Sequence, residues 1–278
     1  MEFCIARGKQ PAVQRNEAIK AAKGEIIYFL DDDAQARPDN LERAMAHFRD
    51  PKVKMVGGPN LCPPDAPLIE RVFAVVLSSW IAFGPSRARY HSVGGTRASS
   101  EKELILCNLL ARRDALLELG GFDASLYPNE ENALMDNLQK RGGVLIYDPD
   151  IIAYRRPRPT LTAFVKMLIN YGRGRAEQFR LHPTPGSALN FVPPLFVLYL
   201  LISPLLGKLG LLPLAAYALA IFGQTLYSAV TRNPLHALLA MPLLTITHIM
   251  YGLGFWRGLF TRLRPKSAID SEVTLERA

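Results

Sequence analysis

Apolar positions along this chain fall into two regimes. Up to about residue 182 they recur in short runs between charged residues; from Ala188 to Trp256 they are nearly continuous, broken by charge only at Lys208 and Arg232. Within the first regime, Phe3 to Ala6 reads as a short strand. Pro11 to Lys23 reads as a helix, because Ala12, Ala18, Ile19 and Ala22 share one face and Gly24 stops it. The run Ile26-Ile27-Tyr28-Phe29-Leu30 reads as a buried strand of a parallel sheet, and it leads directly into Asp31, Asp32 and Asp33. Further on, the pattern predicts a helix over Asn40 to Phe48, a strand over Val53 to Val56 ending at Gly57-Gly58, and a strand over Leu104 to Leu106. It then predicts a helix over Arg113 to Leu119, a turn at Gly120 to Asp123, a helix over Asn132 to Arg141 and a strand over Val144 to Tyr147. Strands alternating with helices at this spacing predict an α/β fold.

The second regime holds three apolar candidates for membrane spans, Phe191 to Leu206, Leu209 to Val230 and Leu235 to Phe255. The first is short and carries Pro193, Pro194 and Pro204, so two or three spans are expected. An odd number would put the basic stretches on either side of the region on opposite faces of the bilayer, against the positive-inside tendency. Ile69 to Phe83 is apolar but too short to span and is expected to pack as a helix on the preceding domain. The expected organisation is a folded domain over 1–182, a transmembrane region over 188–258 and a basic, then polar, tail over 259–278.

The net charge of +8 admits two partners, nucleic acid or an anionic surface. No zinc pattern, recognition-helix motif or aromatic-basic RNA motif accompanies the charge, so no nucleic acid partner is expected. Arg173, Arg175 and Arg180 precede the apolar region, and Arg257, Arg262, Arg264 and Lys266 follow it, as membrane-flanking cations do. The three cysteines, Cys4, Cys62 and Cys107, are widely spaced and imply neither a disulfide framework nor a zinc site.

Four polar clusters carry candidate chemistry. A strand ending in Asp31-Asp32-Asp33 places carboxylates at the carboxyl edge of a sheet, where open α/β sheets bind ligands. Their mutual repulsion would be relieved by a hard divalent ion bridging to a diphosphate; a solvated acidic turn is the plainer alternative. Asn129-Glu130-Glu131-Asn132 opens a predicted helix, where acidic residues suit the helix dipole whether or not they act as a base. Val93-Gly94-Gly95-Thr96-Arg97 reads as a surface loop. Tyr171-Gly172-Arg173-Gly174-Arg175 lies between a predicted amphipathic helix, Leu161 to Asn170, and the first apolar segment. It is either a membrane-flanking basic stretch or a contact for diphosphate or an anionic lipid acceptor. His47, His91, His182, His236 and His248 form no ligand-spaced pair and read as structural or surface residues.

Taken in order, these segments resemble one family. Arg15-Asn16, Ile19, Ala22, Gly24-Glu25-Ile26-Ile27 and Phe29-Leu30-Asp31-Asp32-Asp33 resemble the segment of family 2 glycosyltransferases that ends in a D-x-D motif. Asp31 and Asp33 match the ends of that motif, and Ala18 stands where the family has Gly. Asn108 with Arg112-Arg113, followed by Gly120-Gly121-Phe122-Asp123, is similar to the acceptor-side segment, and Glu130-Glu131 with Leu134, Leu138 and Gly142 to the segment holding the catalytic base. Tyr154, Pro157-Arg158 and Tyr171-Gly172 resemble the branch of succinoglycan-type exopolysaccharide glucosyltransferases.

The resemblance covers residues 5 to 182, and it implies a GT-A fold (Rossmann-like α/β) followed by C-terminal transmembrane helices, in a bacterial inner-membrane protein with its catalytic part in the cytoplasm. It implies an inverting hexosyltransferase that moves a sugar from a nucleotide-sugar, a UDP-sugar above all, to a lipid-linked or glycan acceptor. Asp31 and Asp33 would engage Mg or Mn, and Asp31, Asp32, Asp33, Arg15, Asn16, Arg173 and Arg175 would line the donor side. Glu131, with Glu130 beside it, would be the catalytic base. Three departures stand out. The family's opening strand and P-x-Y-N-E segment has no counterpart here, so the sheet is expected to lack its first strands. Glu131 replaces the family's catalytic Asp, and Asn137 replaces an Arg on the same helix. A truncated or degenerate relative without independent catalysis is the alternative expectation.

Overall fold

A computed structural model describes residues 2–126, 129–181, 183, 185–262 and 272–277. The chain divides into two compact units, one formed by Met1–Leu61, His91–Arg155 and Arg262–Ala278, the other by Cys62–Tyr90 and Arg156–Thr261.

The first unit opens with β1 (Cys4–Gly8) and α1 (Pro11–Ala21), a helix that starts on Pro, whose fixed φ suits a first helical position. Then come β2 (Ile26–Leu30), β3 (Ala34–Ala36), α2 (Asn40–His47), β4 (Val53–Gly57) and β5 (Asn60–Leu61). The chain crosses into the second unit for α3 (Leu68–Leu77) and α4 (Trp80–Phe83). It returns for β6 (Arg97–Ala98), β7 (Asn108–Arg112), α5 (Arg113–Glu118), α6 (Glu130–Lys140), β8 (Val144–Tyr147) and β9 (Ala153–Arg155). The second unit then continues with α7 (Leu161–Leu181), α8 (Val192–Ile202), α9 (Leu211–Thr231) and α10 (Pro234–Phe260), and β10 (Val273–Arg277) pairs antiparallel with β1 in the first.

Five strands form the main sheet, in the order β2-β7-β4-β8-β6. Only β4 and β8 run parallel; the other neighbours are antiparallel. Side chains alternate across this sheet. Val56, Leu110 and Ile146 face a cluster with Ala44 of α2 and Phe48 just after it, while Met55, Leu109, Ala111 and Leu145 are buried on the opposite side. Two expectations are corrected here. The run Ile26 to Leu30 pairs antiparallel with β7 and lies at an edge of the sheet as described, partly exposed rather than buried. The strand expected at Leu104 to Leu106 lies instead at Asn108–Arg112; Leu104 and Leu106 are buried, but in the approach to it. An apolar run marks burial and says nothing of strand direction, and here the true strand is flanked by polar residues that its apolar neighbours mask.

A second, three-stranded sheet has the order β3-β9-β5. Its antiparallel register sets Ala34 opposite Arg155 and Ala36 opposite Ala153, which fixes where Arg155 meets the acidic triplet.

In the second unit, α3 is central rather than peripheral. Val72, Phe73, Val75, Val76 and Leu77 pack with Phe164 and Leu168 of α7, Ile221 of α9 and Ala240, Leu243 and Leu244 of α10. The rings of Phe73 and Phe164 stack at 4.2 Å. α7 runs on through Gly172 and Gly174 to Leu181, well beyond the amphipathic segment expected to end at Asn170. Glycine weakens a helix in isolation, but here it lets two helices touch. A Cβ on Gly172 would collide with the Tyr251 carbonyl of α10, and Cβ atoms on Gly254 and Gly258 would collide with the Ile169 and Arg173 carbonyls of α7. Small residues four apart permit such backbone contact.

Two helical stretches are long and apolar enough to cross a membrane, Ala188–Thr231 and Pro234–Phe260; the bent pair Leu68–Leu77 and Trp80–Arg89 makes a third if it counts as one span. The first is not one rod. It breaks at Gly207, whose φ is 58°, and folds back so that the rings of Phe196 in α8 and Tyr217 in α9 lie 4.3 Å apart. The 11 residues of α8 extend only ~17 Å, short of a ~30 Å hydrocarbon core, whereas the 21 of α9 and the 27 of α10 suffice. Arg264 and Lys266 of the basic tail, and His182, lie outside the described residues.

Candidate active site

The acidic triplet occupies the turn between β2 and β3. The Ala34 amide donates to the Asp31 carbonyl at 3.0 Å, closing the turn, and β3 then pairs with β9. That pairing delivers the Arg155 guanidinium to both outer carboxylates. Its Nη2 lies 3.0 Å from Asp31 Oδ2 and its Nε 2.7 Å from Asp33 Oδ1. The third nitrogen, Nη1, donates to Cys107 Sγ at 3.4 Å. Burial pushes the Cys107 thiol up to about 11, so it stays neutral, an acceptor rather than a nucleophile. Asp32 is exposed.

Buried polar side chains brace this arrangement from behind. The Tyr28 hydroxyl donates to Asn108 Oδ1 at 2.8 Å and accepts from Asn40 Nδ2 at 3.0 Å. Asn40 exchanges two hydrogen bonds with the Ile152 backbone, and Asn108 donates to the Pro59 and Ile151 carbonyls. These bonds hold the chain entering β9, three residues before Arg155. Burial raises the Tyr28 pKa, keeping its hydroxyl a donor.

A second polar group gathers at the start of α6. Glu130 is buried, 2% exposed, and Arg15 of α1 donates to its Oε1 at 2.8 Å. Its other oxygen has no hydrogen-bond partner. Burial first, then the neighbouring Glu131 charge, push the Glu130 carboxyl up to about 7, with Arg15 pulling the other way. Asn16 clamps the preceding loop: its Nδ2 donates to the Phe122 carbonyl and its Oδ1 accepts from the Phe122 amide, both at 2.8 Å. Gly121 needs its left-handed φ of 78° there, and a Cβ would strike the Asn16 amide. Phe29 of β2 meets the Phe122 ring edge-on at 5.6 Å, so the strand that leads into Asp31 also touches the loop that precedes α6. Glu131 is half-buried in the first turn of α6.

Among the described residues, then, Asp31 and Asp33 come together on Arg155, and Arg15 and Glu130 on one another. No hydrogen bond or ion pair joins the two groups. Arg15 and Asn16, expected on the donor side, both bond to the approach to α6. Arg173 and Arg175 belong to the second unit, on α7: Arg173 pairs with Glu177 at 3.5 Å and Arg175 donates to Gln178 at 3.1 Å. Arg97 ties its own glycine loop down, donating to the Val93 and Gly95 carbonyls, as a plain loop requires. Sequence reasoning missed Arg155, Cys107, Tyr28 and Asn40; Asn108 it found, but as part of the acceptor-side segment rather than as a brace for this turn. For Arg155 the signal was its neighbours, Tyr154 and Pro157-Arg158.

The outer carboxylates suit a hard divalent ion, since oxygens from both already converge on a single cationic group. No cluster of three or more His, Cys, Asp or Glu side chains able to hold a metal occurs among the described residues. Two carboxylates are the protein's share in many magnesium sites, where water and substrate phosphate complete the shell.

Comparison with known proteins bears on the family and the fold. The profile of glycosyl transferase family group 2 matches residues 26–256. The chain is 28% identical over 187 residues to the pre-mycofactocin glycosyltransferase of Mycobacterium tuberculosis, covering 65% of this chain and 37% of that protein. It is 29% identical over 196 residues to the succinoglycan biosynthesis protein ExoA of Rhizobium meliloti, covering 68% of this chain and 56% of that protein. It therefore spans little more than half, or less, of the relatives it matches. Its fold is similar to that of the mannosyltransferase PcManGT of Pyrobaculum calidifontis, solved with GDP-Man and Mn2+. The TM-score is 0.50 at 22% identity, over 91% of this chain and 67% of that one.

Proposed function

The chain belongs to glycosyl transferase family group 2 and has a GT-A fold, and we propose that it moves a hexosyl group from a nucleotide-sugar to a membrane-associated glycan or lipid acceptor, with inversion. The observation that carries this reading is the convergence of Asp31 and Asp33 on one cationic group at the end of β2. There they would hold Mg or Mn, which when bound supplies positive charge to the diphosphate of the leaving nucleotide. Arg15 and Asn16 set the entry to α6, and Glu131 accepts the proton of the acceptor hydroxyl as that oxygen attacks the anomeric carbon. A single displacement from the opposite side inverts the configuration. Glu130, held near neutrality by burial, spares Glu131 a full like charge beside it. The likeness to a succinoglycan biosynthesis protein supports a role in polysaccharide or glycolipid assembly.

The second unit supports a membrane location. Leu201, Leu205, Leu209, Leu219 and Val230 are each more than two-thirds exposed, an apolar surface suited to lipid. Arg173 and Arg175 fit the anionic headgroups or a phosphate-bearing acceptor. The inner membrane, with the first unit in the cytoplasm where nucleotide-sugars are made, is the setting this chemistry needs.

The test is transfer of labelled sugar from a panel of UDP- and GDP-sugars into a bacterial membrane lipid extract, by the purified full chain in detergent with Mn2+ present. Transfer from one donor, lost in Glu131→Gln, is the expected result. No transfer from any donor by well-folded protein would favour a relative without independent catalysis.

A further inference from the structure

The Arg155 guanidinium is placed where a divalent ion would be expected. It spans Asp31 Oδ2 at 3.0 Å and Asp33 Oδ1 at 2.7 Å, and these two carboxylates are its only charged partners among the described residues. Its remaining contact is the neutral thiol of Cys107, a weak acceptor. The placement is not accidental packing of a long side chain. The β3–β9 register sets Arg155 opposite Ala34, next to Asp33, and the Asn40 and Asn108 hydrogen bonds fix the chain that leads there. The side chains of Asp31, Asp33 and Arg155 are 31%, 53% and 26% exposed, so the bonds are reachable by solvent and exchangeable.

We propose that Arg155 is a positioning residue that closes the carboxylate pair of Asp31 and Asp33 in the absence of the divalent ion and competes with that ion for the same oxygens. This rests on the reading of Asp31 and Asp33 as the ion's ligands. Two carboxylates at one turn repel, and one cation relieves them; a guanidinium does so through two charge-assisted hydrogen bonds, a metal through direct ligation. Both cannot hold the same lone pairs. An ion that ligates Asp31 Oδ2 and Asp33 Oδ1 displaces Arg155, which stays tethered by β9 beside the site. A freed guanidinium at that point has the fork geometry that suits phosphate oxygen. The arrangement would keep the site from collecting divalent ions tightly until a diphosphate offers Arg155 a second partner.

The experiment is a Mn2+ titration of the purified full chain in detergent, without nucleotide, following free Mn2+ by electron paramagnetic resonance. Arg155→Met is expected to bind Mn2+ about tenfold more tightly than the parent, the scale of losing one competing ion pair. Arg155→Lys, which keeps the charge but not the fork, is expected in between. It also decides the matter if Arg155→Met melts at a lower temperature. Arg43→Met removes an exposed cation paired with Asp39 and is expected to change affinity by less than about twofold. Unchanged or weaker Mn2+ binding in both Arg155 variants, with binding abolished by Asp31→Asn/Asp33→Asn, would overturn the competition while leaving the ion site standing. If the double Asn variant binds Mn2+ as the parent does, the ion site itself is elsewhere and both readings fall.

Discussion

Replacing Glu130 by Gln isolates one buried charge. The carboxyl is 2% exposed, and burial together with Glu131 raises it from the ordinary 4.5 to about 7, against the pull of Arg15. A carboxyl raised in the folded state disfavours the ionised form there. The folded protein is therefore most stable, as far as this group is concerned, below pH 4.5, and loses stability as pH rises from there to about 7, beyond which the loss is complete. At about 1.4 kcal/mol per pH unit, the full loss is on the order of 3 kcal/mol, shared between two interacting carboxyls. Glutamine keeps an acceptor for Arg15 and removes the titration. The assay is thermal melting of parent and variant at pH 5 and pH 8. The variant should melt close to the parent at pH 5 and higher at pH 8, by the several degrees that 2–3 kcal/mol brings in a chain of this length. Parallel pH dependences, with the same gap at both values, would refute the reasoning.

Other outcomes follow from the same contacts. Asn16→Ala strips two hydrogen bonds from the Phe122 backbone and should lower stability by about 1–3 kcal/mol, read as an earlier melt at any pH. Gly254→Leu would force a side chain against the Ile169 carbonyl; α7 and α10 must part, and size-exclusion chromatography in detergent should show aggregated or poorly recovered protein. Glu131→Gln should lower kcat by roughly two to four orders of magnitude while leaving Mn2+ binding intact, measured by nucleotide release and by the Mn2+ titration.

Three helices of the first unit were legible. α1, α2 and α6 begin and end within about two residues of expectation; Pro11 and Gly24 bound α1, while α2 and α6 show an apolar face and Gly142-Gly143 closes α6. The strands β4 and β8 were equally plain. What hid β7 was its polar ends: Asn108 is fully buried because it serves Tyr28 and two carbonyls, a reason that exists only in the folded chain. The length of α7 was hidden by glycines that read as breaks until α10 lies against them. The site was half legible. Asp31, Asp33, Glu130 and Glu131 stood out as acidic clusters at element boundaries. Arg155 did not, because its role depends on a register between β3 and β9, elements more than a hundred residues apart. Arg15 and Asn16 were visible as a motif, but their bonds to Glu130 and Phe122 were not.

The most direct test of the proposed chemistry is nucleotide release from the preferred nucleotide-sugar, followed with and without Mn2+, by the parent chain and by Asp31→Asn/Asp33→Asn. The expected result is release by the parent that stops on chelation and resumes on adding Mn2+, and release by the variant at or near background under every condition. Release that persists in the double variant and responds to Mn2+ as the parent does would contradict the assignment of the β2 end as the donor site.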